Sequence, residues 1–385
     1  MACEQLTRLG DVIELEDVKR EPISSRDRKD RKGSYPYYGA QGIVDYLDDY
    51  TYEGDYLLVA EDGENLRSRK NPIANAASGK FRVNNHAHVI AESEKCNLVF
   101  LRHLLNMTDI SAYVTGSTQP KLSQSNLCAM KLPLPSMAEQ NAIANVLSLF
   151  DRKIELNNQL NDYLFELVSS VFAHRFSDNV NTTELKNVLS ISTKALKPQE
   201  HADEIWEHYS IPAFDEKHRP IFEPASGIKS NKYQIDSECI LISKLNPSTK
   251  RIWMPCCSSN NAVCSTEFIV YRPYLKEYKS FYYAAIDSPR FTDYLLEHVS
   301  GSTGSRQRAQ PKDTLNYLMP NPDNEEIKDF CTFADPIYRH IQINEQQTAK
   351  LELLRETLLP KLMSGAIDVS KVDLTQLTNN HLADY

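Results

Sequence analysis

Glycine is scarce in this chain, with twelve among 385 residues. Neither a GxGxxG run nor a P-loop glycine pattern occurs, so the close backbone approach to a nucleotide phosphate is not provided for. No apolar run is long enough to span a bilayer, and no membrane partner is expected. The first residues, MACEQLTRLGDVIEL, lack the basic and apolar regions of a signal peptide, so the expected location is cytoplasmic. Eight cysteines are scattered without a CxxC pair, which favours reduced thiols. Cys256, Cys257 and Cys264 lack tetrahedral zinc spacing and read as small buried side chains in strands. His86 and His88 share one face of a possible strand, but no third ligand is evident, so no metal site is expected.

What the chain does contain is unevenly distributed. A net charge of −9 and a pI near 5.6 argue against strong nucleic-acid binding by the free chain. Yet basic residues cluster in residues 19–32 (KREPISSRDRKDRK), at Arg67, Arg69 and Lys70, and in residues 301–312 (GSTGSRQRAQPK). Three basic runs in loop-like contexts favour contact with DNA phosphates.

Residues 139–172 carry neither glycine nor proline. Their apolar positions are Ile143, Leu147, Phe150, Ile154, Leu160, Leu164, Leu167 and Val171, in steps of three and four apart from one gap. That spacing predicts an amphipathic helix about 50 Å long, suited to a spacer. Before it, the pattern predicts a short helix over 6–14, a polar loop to residue 33, and short strands in the tyrosine-rich stretch 35–56. A buried strand over 56–60, a charged loop over 61–70, a strand–turn–strand over 76–89 and a helix over 98–106 follow. After it come a polar linker over 177–183, a short helix over 185–191 and strands over 239–244, 251–255 and 268–271. Helices follow over 278–286 and 292–298, then a second long helix over 325–363 with Gly365 as its C-cap. The last twenty residues read as a polar tail.

The halves repeat. TGST at 115–118 recurs as SGST at 300–303, and LPLP as MPNP. At a constant offset Pro133 pairs with Pro320, Glu139 with Glu326, Ile154 with Ile341, and Leu164, Leu167 and Val171 with Leu351, Leu354 and Leu358. Two copies of one module, globule plus helix, therefore lie in tandem. The simplest burial for each stripe is the other helix, antiparallel about a pseudo-two-fold axis. Ile143, Leu147, Phe150, Ile154, Asn157, Leu160 and Leu164 would meet Ile337, Ile341, Asn344, Leu351, Leu354 and Leu358. Asn157 and Asn344 interrupt the stripes at matching places. Either they meet at the crossing and set its register, or they face solvent. Asp335-Pro336 predicts a restart or kink in the second helix, and Pro360 a disturbance of its last turns.

Together, YYGAQGIVDYLDDYTYEGDYLLVAEDGENL, GKFRVNNHAHV, the stretch from TGSTQPKLSQ to IELNNQ, and LLRETLLPKLMSG make the chain resemble the DNA-specificity subunit of a Type I restriction-modification enzyme. The resemblance runs to about residue 367. It implies an α+β protein with two tandem target-recognition domains of mixed α/β type, separated by two long antiparallel helices. The boundaries would be 1–136, 137–174, 175–322, 323–365 and 366–385. Each domain would read half of a bipartite, asymmetric site in double-stranded DNA. The helices would set the spacing and dock two methyltransferase subunits, and a restriction subunit could join. S-adenosylmethionine would be held by the methyltransferase, ATP and Mg by the restriction subunit, and no cofactor by this chain.

Other sequence features agree with that resemblance. Neither Asn-Pro-Pro-Tyr nor Asp-Pro-Pro-Tyr is present; the nearest run, Asp335 to Tyr338, lacks the second proline. Pro322-Asp323 with Glu326 and Lys328 faintly resembles a nuclease motif, but its place at a helix start reads as capping. No catalytic role is therefore assigned. Direct readout needs polar and basic side chains at base edges. In the first domain these are Asn65, Arg67, Arg69 and Lys70, the turn Asn84, Asn85 and His86, and Tyr37, Tyr38, Gln119 and Lys121. In the second they are Lys244, Asn246, Lys250 and Arg251, with Ser302, Thr303, Ser305, Arg306, Gln307, Arg308 and Lys312. The competing readings are a coiled-coil adaptor that binds no DNA and a DNA-modifying enzyme acting alone.

Overall fold

The computed structural model describes residues 6–179, 181–300 and 307–369. Two helices of 40 residues each dominate it, Met137–Phe176 and Asn324–Met363. Both start in a capping box. The Ser136 hydroxyl accepts from the Glu139 N–H at 3.4 Å while the Glu139 carboxylate accepts from the Ser136 N–H at 3.0 Å. Asp323 and Glu326 make the same exchange at 2.9 and 3.3 Å, so the Pro322–Glu326 stretch is a cap. Gly365, at φ +68°, follows the C-terminal helix in the left-handed conformation expected of a C-cap. The expected restart is not observed: the helix runs unbroken through Pro336 and Pro360. The Asp335 side chain accepts from Ser280 instead of capping a new helix.

The chain divides into two units, Met1–Ile154 with Lys350–Tyr385, and Glu155–Ala349. The division falls inside both long helices. In the first unit a six-stranded sheet runs in the order Glu14–Leu15, Ala87–Ala91, Tyr52–Ala60, Ala74–Val83, Lys32–Gly39, Gly42–Leu47. Its pairings are antiparallel except that of Lys32–Gly39 with Ala74–Val83. The expected helix over 6–14 is instead a strand, a 3-10 turn and a strand. Leu6–Arg8 pairs with Lys131–Pro133, a remote partner that overrides local periodicity. Leu9, Leu57, Val59, Phe100, Leu101 and Leu104 form the core with Ile143, Leu147, Phe150 and Leu351 of the long helices.

The second unit repeats the frame. Thr182–Glu184 pairs with Leu318–Pro320, as Leu6–Arg8 does with Lys131–Pro133. The helix expected over 185–191 is again a 3-10 turn and a strand, Leu185–Asn187 and Leu189–Ser192. Here the remaining described strands form a four-stranded sheet, a five-stranded sheet and the pair Val299–Ser300 with Arg308–Ala309. Cys264 lies in strand Ala262–Ser265, but Cys256 and Cys257 lie in a loop and not in a strand.

Each unit holds an antiparallel section of the helix pair. In the first, Asp151 accepts from Arg355 at 2.5 Å, from Arg102, and from His103 across 3.1 Å. In the second, the Asn157 amide donates to Gln347 at 2.9 Å and to Thr348 at 3.3 Å, and the Asn344 amide donates to Asn161 at 2.8 Å. Asn157 and Asn344 are therefore buried in polar contacts and do not bond each other. The stripe also differs from its sequence reading. Leu160, Leu167 and Leu354 are 40%, 45% and 41% exposed, while Asn161, Val168 and Phe172 face the core. Past Ile154 the buried face advances through Asn157 and Asn161, polar residues that a hydrophobic tally passes over. Ile154, Leu164, Ile337 and Leu358 are partly buried, and Ile341 and Leu351 fully so.

Candidate nucleic-acid interface

In the first unit the fold gathers three sequence-distant segments into one rim. Leu122 N–H donates to the Glu61 carbonyl at 2.7 Å, and Gly63 N–H to the Pro120 carbonyl at 3.1 Å, joining residues 61–70 to residues 115–122. The turn 84–86 joins them, because Glu61 N–H donates to the His86 carbonyl at 2.8 Å and His86 Nδ1 lies 2.7 Å from Asp62. Lys121 lies at the centre, 3.1 Å from Glu61, with its backbone exchanging two 2.8 Å hydrogen bonds with Thr115. Gly116 makes this turn possible: φ is +85°, and a Cβ there would meet the Gln119 carbonyl at 2.1 Å.

Several residues expected at base edges hold the rim together instead. Tyr37 is 2% exposed, and its hydroxyl accepts from Ile23 N–H at 2.9 Å. Tyr38 packs edge-on against Phe81. Asn65 is 4% exposed and brackets its own loop, exchanging 2.9 Å hydrogen bonds with the Asn71 backbone. Arg67 donates to the Gly116 and Ser117 carbonyls. Arg69, in the left-handed conformation, caps the helix Leu98–Met107 through the Leu105 and Asn106 carbonyls at 3.0 and 2.8 Å. Burial lowers its guanidinium below the ordinary value. Asn84 accepts from His86 N–H at 2.8 Å. Lys70, Asn85 and Gln119 stand exposed on the rim.

Behind the rim is a cluster that sequence reading missed. His88, 0% exposed, points Nδ1 at Asp17 (2.6 Å) and Nε2 at the Leu122 carbonyl (2.8 Å). Arg20 bridges Glu61 at 2.6 Å and Asp17 at 3.2 Å. Burial works to raise the Glu61 carboxyl, but hydrogen bonds from Arg20 and Lys121 outweigh it and leave the group below its ordinary value. Asp17, Glu61 and His88 lie close enough together to hold a metal ion. The Arg20 guanidinium already supplies a cation to both carboxylates, so these residues fit a salt-bridged cluster better than a metal centre. No local signal could have found it, because Arg20 and Glu61 are 41 positions apart and Asp17 and His88 are 71 apart.

The second unit uses the same ladder. Ala309 N–H donates to the Lys244 carbonyl at 2.9 Å and Asn246 N–H to the Gln307 carbonyl at 3.0 Å. Arg308 stands where Lys121 stands in the first unit, paired with Glu267 at 3.1 Å. Arg251 is held by Asp215 at 2.6 and 2.9 Å, and Lys250 by Asp287 at 2.6 Å, so both are committed to ion pairs. Lys312 is exposed. Ser302, Thr303, Ser305 and Arg306 lie outside the described residues.

Residues 5–164 match the family model for the Type I restriction modification DNA specificity domain. A Haemophilus influenzae protein named as a candidate type I restriction enzyme specificity subunit is 37% identical over 139 residues, covering 36% of this chain and 35% of that relative. The Type I restriction enzyme MjaIX specificity subunit of Methanocaldococcus jannaschii is 24% identical over 353 residues, 82% of this chain and 80% of its own length. The crystal structure of a Type-I restriction-modification system S subunit from M. genitalium aligns with a TM-score of 0.59 at 17% identity, covering 93% of this chain and 95% of that one, a likeness of fold. Among the described residues no helix is long and apolar enough to cross a membrane. Residues 5–164 therefore carry a Type I restriction modification DNA specificity domain, and the chain as a whole is similar to specificity subunits of Type I restriction enzymes.

Proposed function

We propose that the chain is a non-catalytic DNA-recognition subunit whose two globules each read one half of a bipartite, asymmetric site in double-stranded DNA. The observation that carries this reading is the shared ladder. Glu61 with Leu122, and Lys244 with Ala309, bring loops to one rim in each unit from sequences that otherwise differ. A common scaffold with divergent rims is what two different half-sites require.

The long helices set the distance between the half-sites and dock two methyltransferase subunits, and a restriction subunit joins that complex. In support, Leu156, Leu160, Tyr163 and Leu167 form a second apolar stripe at helical spacing, 40% to 67% exposed. Apolar surface of that kind marks a protein-contact face. S-adenosylmethionine then belongs to the methyltransferase, and ATP and Mg to the restriction subunit. The net charge of −9 favours weak DNA binding alone and tight, salt-sensitive binding in the complex.

Mapping methylated adenines in host DNA with and without the gene tests this reading. A bipartite motif whose methylation disappears with the gene is the expected result. An unchanged adenine methylation pattern would remove the recognition role.

A further inference from the structure

The buried cluster behind the first rim holds a histidine in an unusual position. His88 Nε2 faces the Leu122 carbonyl at 2.8 Å, and a carbonyl only accepts, so Nε2 carries a proton. Nδ1 faces Asp17 Oδ2 at 2.6 Å. The other Asp17 oxygen accepts from Val89 N–H at 2.8 Å, and Arg20 lies 3.2 Å from Oδ2. Both contacts favour the carboxylate anion, which requires a second proton, on Nδ1. The charged groups facing the ring are Asp17 and Arg20 from the N-terminal segment and Glu61, whose carboxylate lies 3.9 Å from Nδ1 and is itself held by Lys121.

We propose that His88 is held as an imidazolium and is a positioning residue for the rim, tying residues 61–70 and 115–122 to the N-terminal segment. One ring joins three places: the strand Ala87–Ala91 that leaves the 84–86 turn, the carbonyl of Leu122, and Asp17. Leu122 in turn fixes Glu61 through its own N–H. A neutral imidazole satisfies only one of the two acceptors, and its bare nitrogen would face a carboxylate in a site with no water access. The consequence for DNA rests on the proposed reading of the rim; the protonation state does not.

The test uses the full chain labelled with nitrogen-15 histidine and a long-range nitrogen–proton spectrum of the imidazoles at about pH 7.5. One ring protonated on both nitrogens is expected, with its signals absent in His88→Gln. In Asp17→Asn the side-chain oxygen stays with Val89 N–H and the amide donates to the ring, so Nδ1 is expected to lose its proton. This second variant assigns the signal even if His88→Gln fails to fold. A bare nitrogen on His88 in the unaltered chain overturns the proposal. For the positioning role, amide exchange at Leu122 and Val89 is expected to be about tenfold faster in Asp17→Ala, which removes the acceptors of both Val89 N–H and the ring, with the buried long-helix amides unchanged. Unchanged exchange at both amides overturns that role. Binding of the methyltransferase complex to a pool of randomised duplexes is measured separately. If the unaltered complex fails to bind, the recognition reading fails while the histidine result stands.

Discussion

Asn344 donates its side-chain amide to Asn161 at 2.8 Å, and the internal repeat maps this pair onto Thr348 and Asn157, which bond at 3.3 Å. The two contacts are related by the same two-fold logic that relates the modules. Four buried polar residues therefore form two matched rungs between the helices, with 2% to 8% exposure. Register follows from hydrogen bonding: sliding one helix by a turn would leave four amide or hydroxyl groups buried without partners.

Asn344→Ala is accordingly expected to destabilise the chain by about 1–3 kcal/mol, because it leaves Asn161 buried and short of a partner. The paired change Asn161→Leu with Asn344→Leu should recover that loss. A double-mutant cycle on urea midpoints measures the coupling. Independent, additive effects would show that the rung is not an interaction.

Asp151 gathers Arg102, His103 and Arg355 where the long helices meet the helix Leu98–Met107. Burial works to raise its carboxyl, but the hydrogen bond from His103 and the charge of Arg102 outweigh it and hold the group well below its ordinary value. A carboxyl lowered on folding contributes stability above its unfolded pKa, and that contribution is lost as pH falls through the folded value. Asp151→Asn should therefore lower the urea midpoint at neutral pH, by about 1–3 kcal/mol in stability. The gap from the unaltered protein should narrow in strong acid. A gap that widens on acidification would contradict the assignment.

Gly116→Ala tests the rim turn. The added methyl would meet the Gln119 carbonyl, and φ of +85° is strained for alanine. A loss of about 1–2 kcal/mol is expected, with loss of the Arg67 contacts to this turn. Thermal melting and amide exchange across residues 115–121 read both effects.

Lys70→Ala and Tyr37→Phe separate readout from support. Lys70 is exposed on the rim, so in the proposed complex with methyltransferase subunits its loss should weaken DNA binding and reduce the salt slope by about 0.9. Tyr37 is buried, and losing its hydroxyl should cost about 1 kcal/mol of stability and leave the salt slope alone. A steeper slope in Lys70→Ala would remove Lys70 from the phosphate contacts.

The long helices, the cap at Asp323, the Gly365 cap and the tandem repeat were legible in the sequence because their signals lie within a few residues or in a fixed offset. The strands at Leu6–Arg8 and Thr182–Glu184 were not, since each is made by a partner strand more than a hundred positions away. The same limit explains the rim. Basic and amide residues in loops mark candidates, but Asn65, Arg67, Arg69 and Arg251 find acceptors only once the chain has closed on itself. Hydrophobicity located the helix stripe to Ile154 and then followed Leu160, although the buried face continues through Asn157 and Asn161.

By itself, then, the amino-acid sequence determined that there are two modules, each with a long helix, and that each carries loops rich in groups able to contact DNA. Local hydrogen bonding, helical periodicity and repetition are written along the chain, so they can be read from it. Tertiary structure decided which of those groups remain exposed, where the polar rungs lie, and that His88 gathers Asp17 and Leu122. Those outcomes depend on which acceptors come within about 3 Å after folding, a distance that sequence order does not encode.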